Sequence, residues 1–488
     1  MKPVSLFFAL CAAAILSGCG GKKETAKSSG PDLPAGELSG TISISAYETM
    51  IYRSFLEDAA RSFQALHPGT TVNVETFSAM PEIRSGSRGN AGVTQIQMLD
   101  DPQGRADYIS RVNTGLMSGE GADIYALDVL PLHKFVESGQ FENLETFMDG
   151  DSGFNREDYR GNILDALSYR GGIWFMPTGY TFKYFTYDST LIPDAAGFGT
   201  GKAWTTGELL AMGEQYYNGT EKIFNLVDYS TNGGLAHQML TENFGTYVDL
   251  EQNKANFVRG GFAGFLELVR NAGERGYVHR GVTGQDAAEI MLREAGEEVT
   301  GRSFFKLKND FSLISHFGRG AGMRMQTWTG GEARAIEDDD EIAGIAANAA
   351  GGVPFTYMRA YGISSASKNK ALAWAFIKFL LDEETQLSNA AQSAGDLPLH
   401  NKARKQKAEL TFSGAFGGRA LNAGMKTAQE KYMAVVEDLS DQINCFAVRD
   451  TTVNDMIAGE LSYYFGGSRT AEQLAAVLQN KVDLYLNE

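Results

Sequence analysis

Seven aromatic side chains fall within the eighteen residues 171–188, GGIWFMPTGYTFKYFTYD. Aromatic faces stack on apolar C–H surface, and tyrosine hydroxyls donate and accept hydrogen bonds. That chemistry is recognition rather than bond making, and the same stretch also reads as a buried strand. Catalysis leaves no comparable trace. The histidines at 67, 133, 237, 279, 316 and 400 stand apart, and no two form the His-x-x-x-His pair of a zinc hydrolase. Neither a Gly-x-x-x-x-Gly-Lys-Ser/Thr phosphate loop nor a Gly-x-Ser-x-Gly nucleophile elbow is present. The acidic run EDDDE at 337–341 lacks the spaced ligands of a calcium loop and reads as a solvated acidic turn. Paired carboxylates for glycoside hydrolysis meet only in space, so spacing along the chain neither marks nor excludes them. The expectation is a ligand-holding protein without metal or cofactor.

The elements that would position these aromatics alternate between strand and helix. TISISAY (41–47) alternates as a strand, and Phe55, Ala59, Phe63 and Leu66 then follow helical spacing. The helix stops at HPG, and TTVNVETF (70–77) is the next strand, a unit that favours a parallel right-handed crossover. Residues 80–103 read as a long loop before a helix to about Leu116, and ADIYAL (122–127) is a further strand. Helices are also expected over 204–217, 368–386 and 469–486, with capping boxes at Thr205/Glu208 and Thr470/Gln473. The class is α/β.

The N-terminus carries Lys2, an apolar run from Val4 to Leu16, and then Leu16-Ser17-Gly18-Cys19. Such a run is an export signal too short to span a bilayer. The four residues resemble the lipobox of bacterial lipoproteins, which implies cleavage before Cys19 and lipidation of its thiol. Residues 20–39 are rich in Gly, Ser, Lys, Pro and Glu and read as a flexible tether with a mean reach of roughly 25 Å. Of three cysteines only Cys445 then remains free, so no intrachain disulfide forms; it reads as a buried small hydrophobe. The net charge of −17 disfavours nucleic acid and anionic lipid as partners.

Several segments in order resemble the extracellular solute-binding proteins of family 1, lipoproteins that serve ABC importers for sugars. They are SGEGADIYALDVLPLHKFVESGQFENLETF (118–147), GGIWFMPTGYTFKYFTYDSTLI (171–192), WTTGELL (204–210), RGAGMRMQTWTG (319–330), AYGISSASKNKALAWAFIKFLLDEETQ (360–386) and AGDLPLH (394–400). Asp188 stands where the family commonly has Asn, and Gly322 where it has Ala. The loop at 80–103 and the region 219–318 fit poorly. The resemblance implies a two-lobed type II periplasmic-binding fold with hinge crossovers near 178, 350 and 396. On that reading residues 1–18 are a signal peptide and 19–39 a lipid-anchored tether. Lobe 1 is 40–178 with 351–395, and lobe 2 is 179–350 with 396–488. It further implies an extracytoplasmic, membrane-anchored monomer whose partners are a carbohydrate and the permease subunits of an importer.

A sugar offers C–H patches and a fringe of hydroxyls, which aromatic faces, carboxylates and Arg suit. Candidate ligand contacts are therefore sought at strand ends and crossings. Tyr47 and Glu48 follow the first strand, and fit an exposed helix start equally well. Asp128 ends ADIYAL, and fits a helix cap equally well. Thr178 and Tyr180 flank Gly179 at the first crossing, with Gly179 giving a ligand close approach to the backbone. Trp328 is the expected stacking platform of the second lobe. Tyr357, Arg359 and Tyr361 lie on the return to the first lobe, Arg359 suiting a surface salt bridge as well as a ligand, and Asp396 stands beside the third crossing. Competing readings are a receptor for a polyamine, phosphate ester or peptide, an exported carbohydrate-active enzyme, and an adhesive lipoprotein without a small ligand.

Overall fold

The computed structural model describes residues 37–47, 50–77, 102–188, 197–205, 243–275, 323–328, 340–357, 359–388, 396–415, 423–447 and 450–488, with single positions between 207 and 240. Strand β1 (Gly40–Tyr47) buries Ile42, Ile44 and Ala46 on one face. Helix α1 (Met50–Leu66) turns Phe55, Ala59 and Phe63 inward and returns the chain to β2 (Thr70–Phe77), parallel to β1. Helix α2 (Pro102–Ser118) leads to β3 (Ile124–Ala126). Helices α3 (Leu132–Glu137), α4 (Glu145–Gly150) and α5 (Gly161–Ala166) lead to the short β4 (Met176–Pro177). Asp123 ties β3 to its neighbours, accepting from the Ser43 amide at 2.9 Å and the Ser367 hydroxyl at 2.5 Å.

At Pro177 the chain leaves this sheet. Pro177 has no N–H and so ends pairing without an orphaned donor. Strand β5 (Gly179–Asp188) follows at once and is the spine of a second sheet. That sheet contains β6 (Ala203–Thr205), β9 (Met323–Trp328), β10 (Asp340–Ala347) and β11 (Pro354–Thr356), while β7 (Val248–Asp249) and β8 (Lys254–Ala255) form a separate ladder. The chain returns through β12 (Ala360–Ile363), antiparallel to β3 and β4. It comes back a last time at β13 (Leu397–Pro398), which pairs with Tyr180 and Gly179, and β14 (Cys445–Phe446) completes the second sheet. The strand orders are β2-β1-β3-β12-β4 and β14-β11-β5-β10-β6, with β9 and β13 also on β5.

The second crossing falls between Thr356 and Ala360, because β11 pairs with β5 and β12 with β3; the expectation of a crossing near 350 is corrected by that pairing. Thr178 separates β4 from β5, and Asp396 precedes β13. Gln386 joins the first and third crossings: its amide donates to the Thr178 carbonyl at 2.7 Å and accepts from the His400 amide at 3.0 Å. Trp204 lies in β6, immediately ahead of the Thr205 cap, and donates from its indole to the Ala343 carbonyl at 2.8 Å. The Thr205/Glu208 and Thr470/Gln473 boxes both form. Of the acidic run, Asp340 and Glu341 open β10 instead of forming a turn; the loop at 80–101 lies outside the described residues.

Strand β5 is apolar on both faces, as a central strand should be. Tyr180, Phe182 and Tyr184 are buried along one face, with Tyr180 and Phe182 stacked at 6.5 Å and Phe182 and Tyr184 edge-on at 6.4 Å. Phe185 is buried in the core on the other side. Tyr180 is fully enclosed, and its hydroxyl donates to Ser440 Oγ at 3.3 Å. Its ring is part of the packing at the crossing, with no face left open. Replacing Tyr180 with Ala removes a buried aromatic and is expected to lower stability by about 3–5 kcal/mol, read from urea unfolding; a loss below about 1 kcal/mol would contradict this placement.

Candidate functional site

Three passes of the chain meet at the hinge, and each brings a buried polar side chain. Thr178 comes from the first crossing, Arg359 and Tyr361 from the second, Asp396 from the third; their exposures are 4%, 3%, 0% and 2%. Arg359 Nη2 reaches Asp396 Oδ1 at 3.4 Å, and its guanidinium lies over the Phe55 ring at 4.1 Å. The expected surface salt bridge of Arg359 is thus a buried pair. A Cβ on Gly179 would fall 2.6 Å from Asp396 Oδ2 and 2.7 Å from the Leu397 carbonyl. The glycine therefore admits the third crossing, not a ligand. Lys407 Nζ donates to the Asp396 carbonyl at 2.5 Å and holds that residue from behind.

In this group the side-chain oxygens Thr178 Oγ1, Tyr361 Oη and Asp396 Oδ2 have no hydrogen-bond partner among the described residues. A buried polar atom left unpaired costs on the order of 1–3 kcal/mol. Burial pushes the Tyr361 phenol above its ordinary range; nearby Arg359 opposes the rise, while Asp128 and Asp396 add to it. Tyr361 is thus a neutral donor, Asp396 an acceptor and Thr178 either.

Asp128 stands at the end of β3 within electrostatic reach of Tyr361 and of Tyr108. It does not cap α3, whose N-cap is Pro131 without a side-chain hydrogen bond. Tyr47 packs at 5.6 Å from Tyr108 and 6.4 Å from Phe77. Trp328 ends β9 with its backbone opposite Phe182. Its side chain, like the whole of Glu48, lies outside what is described.

Tyr357 is placed elsewhere. Its ring stacks on Phe446 at 5.2 Å and 6° and packs against Phe175 at 5.2 Å. These three line a cavity of about 390 Å³ that none of the other nine candidates lines. Cys445 lines it too, half-buried rather than enclosed, with its thiol pushed by burial up to about 11. Spacing marked Phe55 only as an inward helical residue and gave no signal for Gln386 or Lys407, because their roles at the crossings come from other segments.

Away from the crossings the lobes also touch. Lys134 Nζ donates to the Tyr485 carbonyl at 2.6 Å, Thr451 Oγ1 to the Val129 carbonyl at 3.0 Å, and Arg105 Nη2 to Asp455 at 2.8 Å. Among the described residues no cluster of His, Cys, Asp and Glu has the arrangement to hold a metal. No helix of those residues is long and apolar enough to cross a membrane.

Two sheets joined by three crossings, with the chain passing twice through each lobe, define a two-lobed periplasmic-binding fold. The chain matches the bacterial extracellular solute-binding proteins over residues 89–414 and belongs to that family. It is accordingly an extracytoplasmic binding protein and not an enzyme. Among curated protein sequences nothing matches it. Solved structures show the same fold. The sugar-binding protein MalE from Xanthomonas citri aligns at 14% identity and a TM-score of 0.57, covering 92% of this chain and 98% of that one. A substrate-binding protein from Listeria monocytogenes in complex with cycloalternan gives 15%, 0.52, 92% and 99%. A maltose/maltodextrin-binding domain from Bdellovibrio bacteriovorus bound to maltotriose gives 15%, 0.50, 92% and 100%.

Proposed function

We propose that this protein captures a sugar or oligosaccharide between its lobes and delivers it to the permease of an ABC importer, as a lipid-anchored monomer. The observation that carries the reading is that each of the three crossings brings a buried polar atom with no hydrogen-bond partner among the described residues: Thr178 Oγ1, Tyr361 Oη and Asp396 Oδ2. A hydroxyl-bearing ligand supplies donors and acceptors to all three. Asp128 and Tyr47, at the ends of parallel strands, extend the site in the direction in which ligands of open α/β sheets sit. Glu48 and Trp328 stay candidate contacts on the family resemblance alone, and Arg359 orients Asp396. The sugar ligands of the Listeria and Bdellovibrio proteins support the ligand class.

On this reading lobe 1 comprises 40–178 and 360–395, and lobe 2 comprises 179–356 and 396–488. Residues 1–18 are the signal, Cys19 carries lipid and 20–39 tether the lobes to the membrane. Closure about the crossings is a hinge motion.

The ligand is found by a thermal-shift screen of mono- and oligosaccharides, in which at least one raises the melting temperature through linkage. Polyamines, phosphate esters and peptides are included, and a shift by these alone would displace the sugar. With the sugar in hand, Thr178→Val and Tyr361→Phe are expected to weaken it about five- to tenfold, about 1 kcal/mol each. Ligand-free stability should stay unchanged or rise, since each removes an unpartnered hydroxyl. Unchanged affinity in both variants would contradict the site. Cys19→Ser is expected to move the protein from the membrane fraction to the soluble extract, and retention in the membrane would contradict the anchor.

A further inference from the structure

The cavity beside Tyr357 has walls from both lobes and is built separately from the crossing site. Phe175, Leu132 and Ala166 come from lobe 1; Val248 and Phe446 come from lobe 2. Its volume of about 390 Å³ lies in the range of small-molecule sites. The stacked Tyr357–Phe446 pair with Phe175 gives it an aromatic wall.

Its polar lining has one sign. Asp249 and Glu251 line it, as does Asp165, whose carboxylate is already paired with Arg156 at 2.8 Å; no lysine or arginine lines it. His133 also lines it, and is 2% exposed. His133 Nδ1 faces Asp450 Oδ2 at 3.4 Å, while Nε2 has no partner among the described residues. Asp450 is itself buried and takes hydrogen bonds from the Val453 amide at 2.8 Å and the Tyr485 hydroxyl at 2.9 Å. A proton on Nδ1 directed at that carboxylate leaves a lone pair on Nε2. Burial holds the imidazole below its ordinary range, against the pull of Asp450, so the ring is neutral near pH 7.

We propose that this cavity is a second ligand site, for a small organic amine with an aromatic or aliphatic body. The body lies against Phe175, Tyr357 and Phe446. An ammonium N–H donates to His133 Nε2, and the acidic lining favours its positive charge. Because the ligand touches both lobes, it stabilises the lobe arrangement in which the cavity has this shape. The site is independent of the sugar reading: Thr178, Tyr361, Asp396, Asp128 and Tyr47 do not line it.

Isothermal titration of the purified protein tests this with 2-phenylethylamine and with 3-phenylpropionate, a similar body of opposite charge. The amine is expected to bind at least tenfold more tightly than the carboxylate. His133→Asn keeps a donor toward Asp450 and removes the Nε2 acceptor, and Ala166→Leu fills the cavity; each is expected to weaken the amine at least tenfold. Thermal unfolding establishes that both variants are folded, and Ala166→Leu carries the test if His133→Asn is not. Tyr361→Phe, at the crossing, is expected to leave amine affinity within twofold. No binding of the amine, equal binding of the carboxylate, or binding that Ala166→Leu leaves intact would overturn the proposal. Loss of amine binding in Tyr361→Phe alone would place the amine at the crossing and overturn it equally.

Discussion

The structure depends on the buried meeting of Arg359 with Asp396 over Gly179. Each residue belongs to a different crossing between the lobes, and together they hold the three passes in register. A side chain at 179 would occupy the space of the Asp396 carboxylate and of the Leu397 carbonyl. Removing one partner of a buried ion pair costs on the order of 3–5 kcal/mol, because the other charge is stranded. The pair is loosely made, at 3.4 Å through one carboxylate oxygen, and leaves Asp396 Oδ2 unengaged. The contact that holds the crossings together therefore also presents an acceptor to a ligand.

This arrangement links fold to function through position. Pro177 ends one sheet, and β5 begins the next only two residues later, so Thr178 has no choice but to lie between the lobes. Tyr361 sits on β12 opposite Ala126 and Met176, at the ends of strands from the first lobe. A ligand that engages these groups touches the joint itself, and its binding free energy acts on the lobe angle directly. The aromatic cavity is arranged otherwise. Its walls are carried by the lobes on either side of the crossings, so its shape follows the lobe angle from a different position.

Local structure was legible in the sequence where a period or a cap specified it. The β1–α1–β2 unit, the helix Lys370–Leu380 and both capping boxes lie where spacing put them. The division of the aromatic stretch 171–188 between two strands was also legible, from Pro177 and Gly179. The state of the side chains was not. Tyr180 reads as an open hinge residue until Ser440, 260 positions away, closes over it. Arg359 reads as a surface cation until Asp396, 37 positions on, buries with it. The second crossing was misplaced because it was carried over from the resemblance, and only the pairing of β11 with β5 and of β12 with β3 fixes where this chain crosses. The cavity could not be read at all: its walls come from segments near 132, 166, 248 and 446, and the region 219–318 fits the family's pattern poorly.

The central claim is that the three unpartnered atoms at the crossings are reserved for the hydroxyls of a captured sugar. The direct measurement is a crystal structure with the sugar identified by the binding screen. The account predicts sugar oxygens within about 3 Å of Thr178 Oγ1, Tyr361 Oη and Asp396 Oδ2, with the ligand enclosed by both lobes. A sugar bound on one lobe alone, or held between the lobes while all three atoms pair with protein or water, would contradict it.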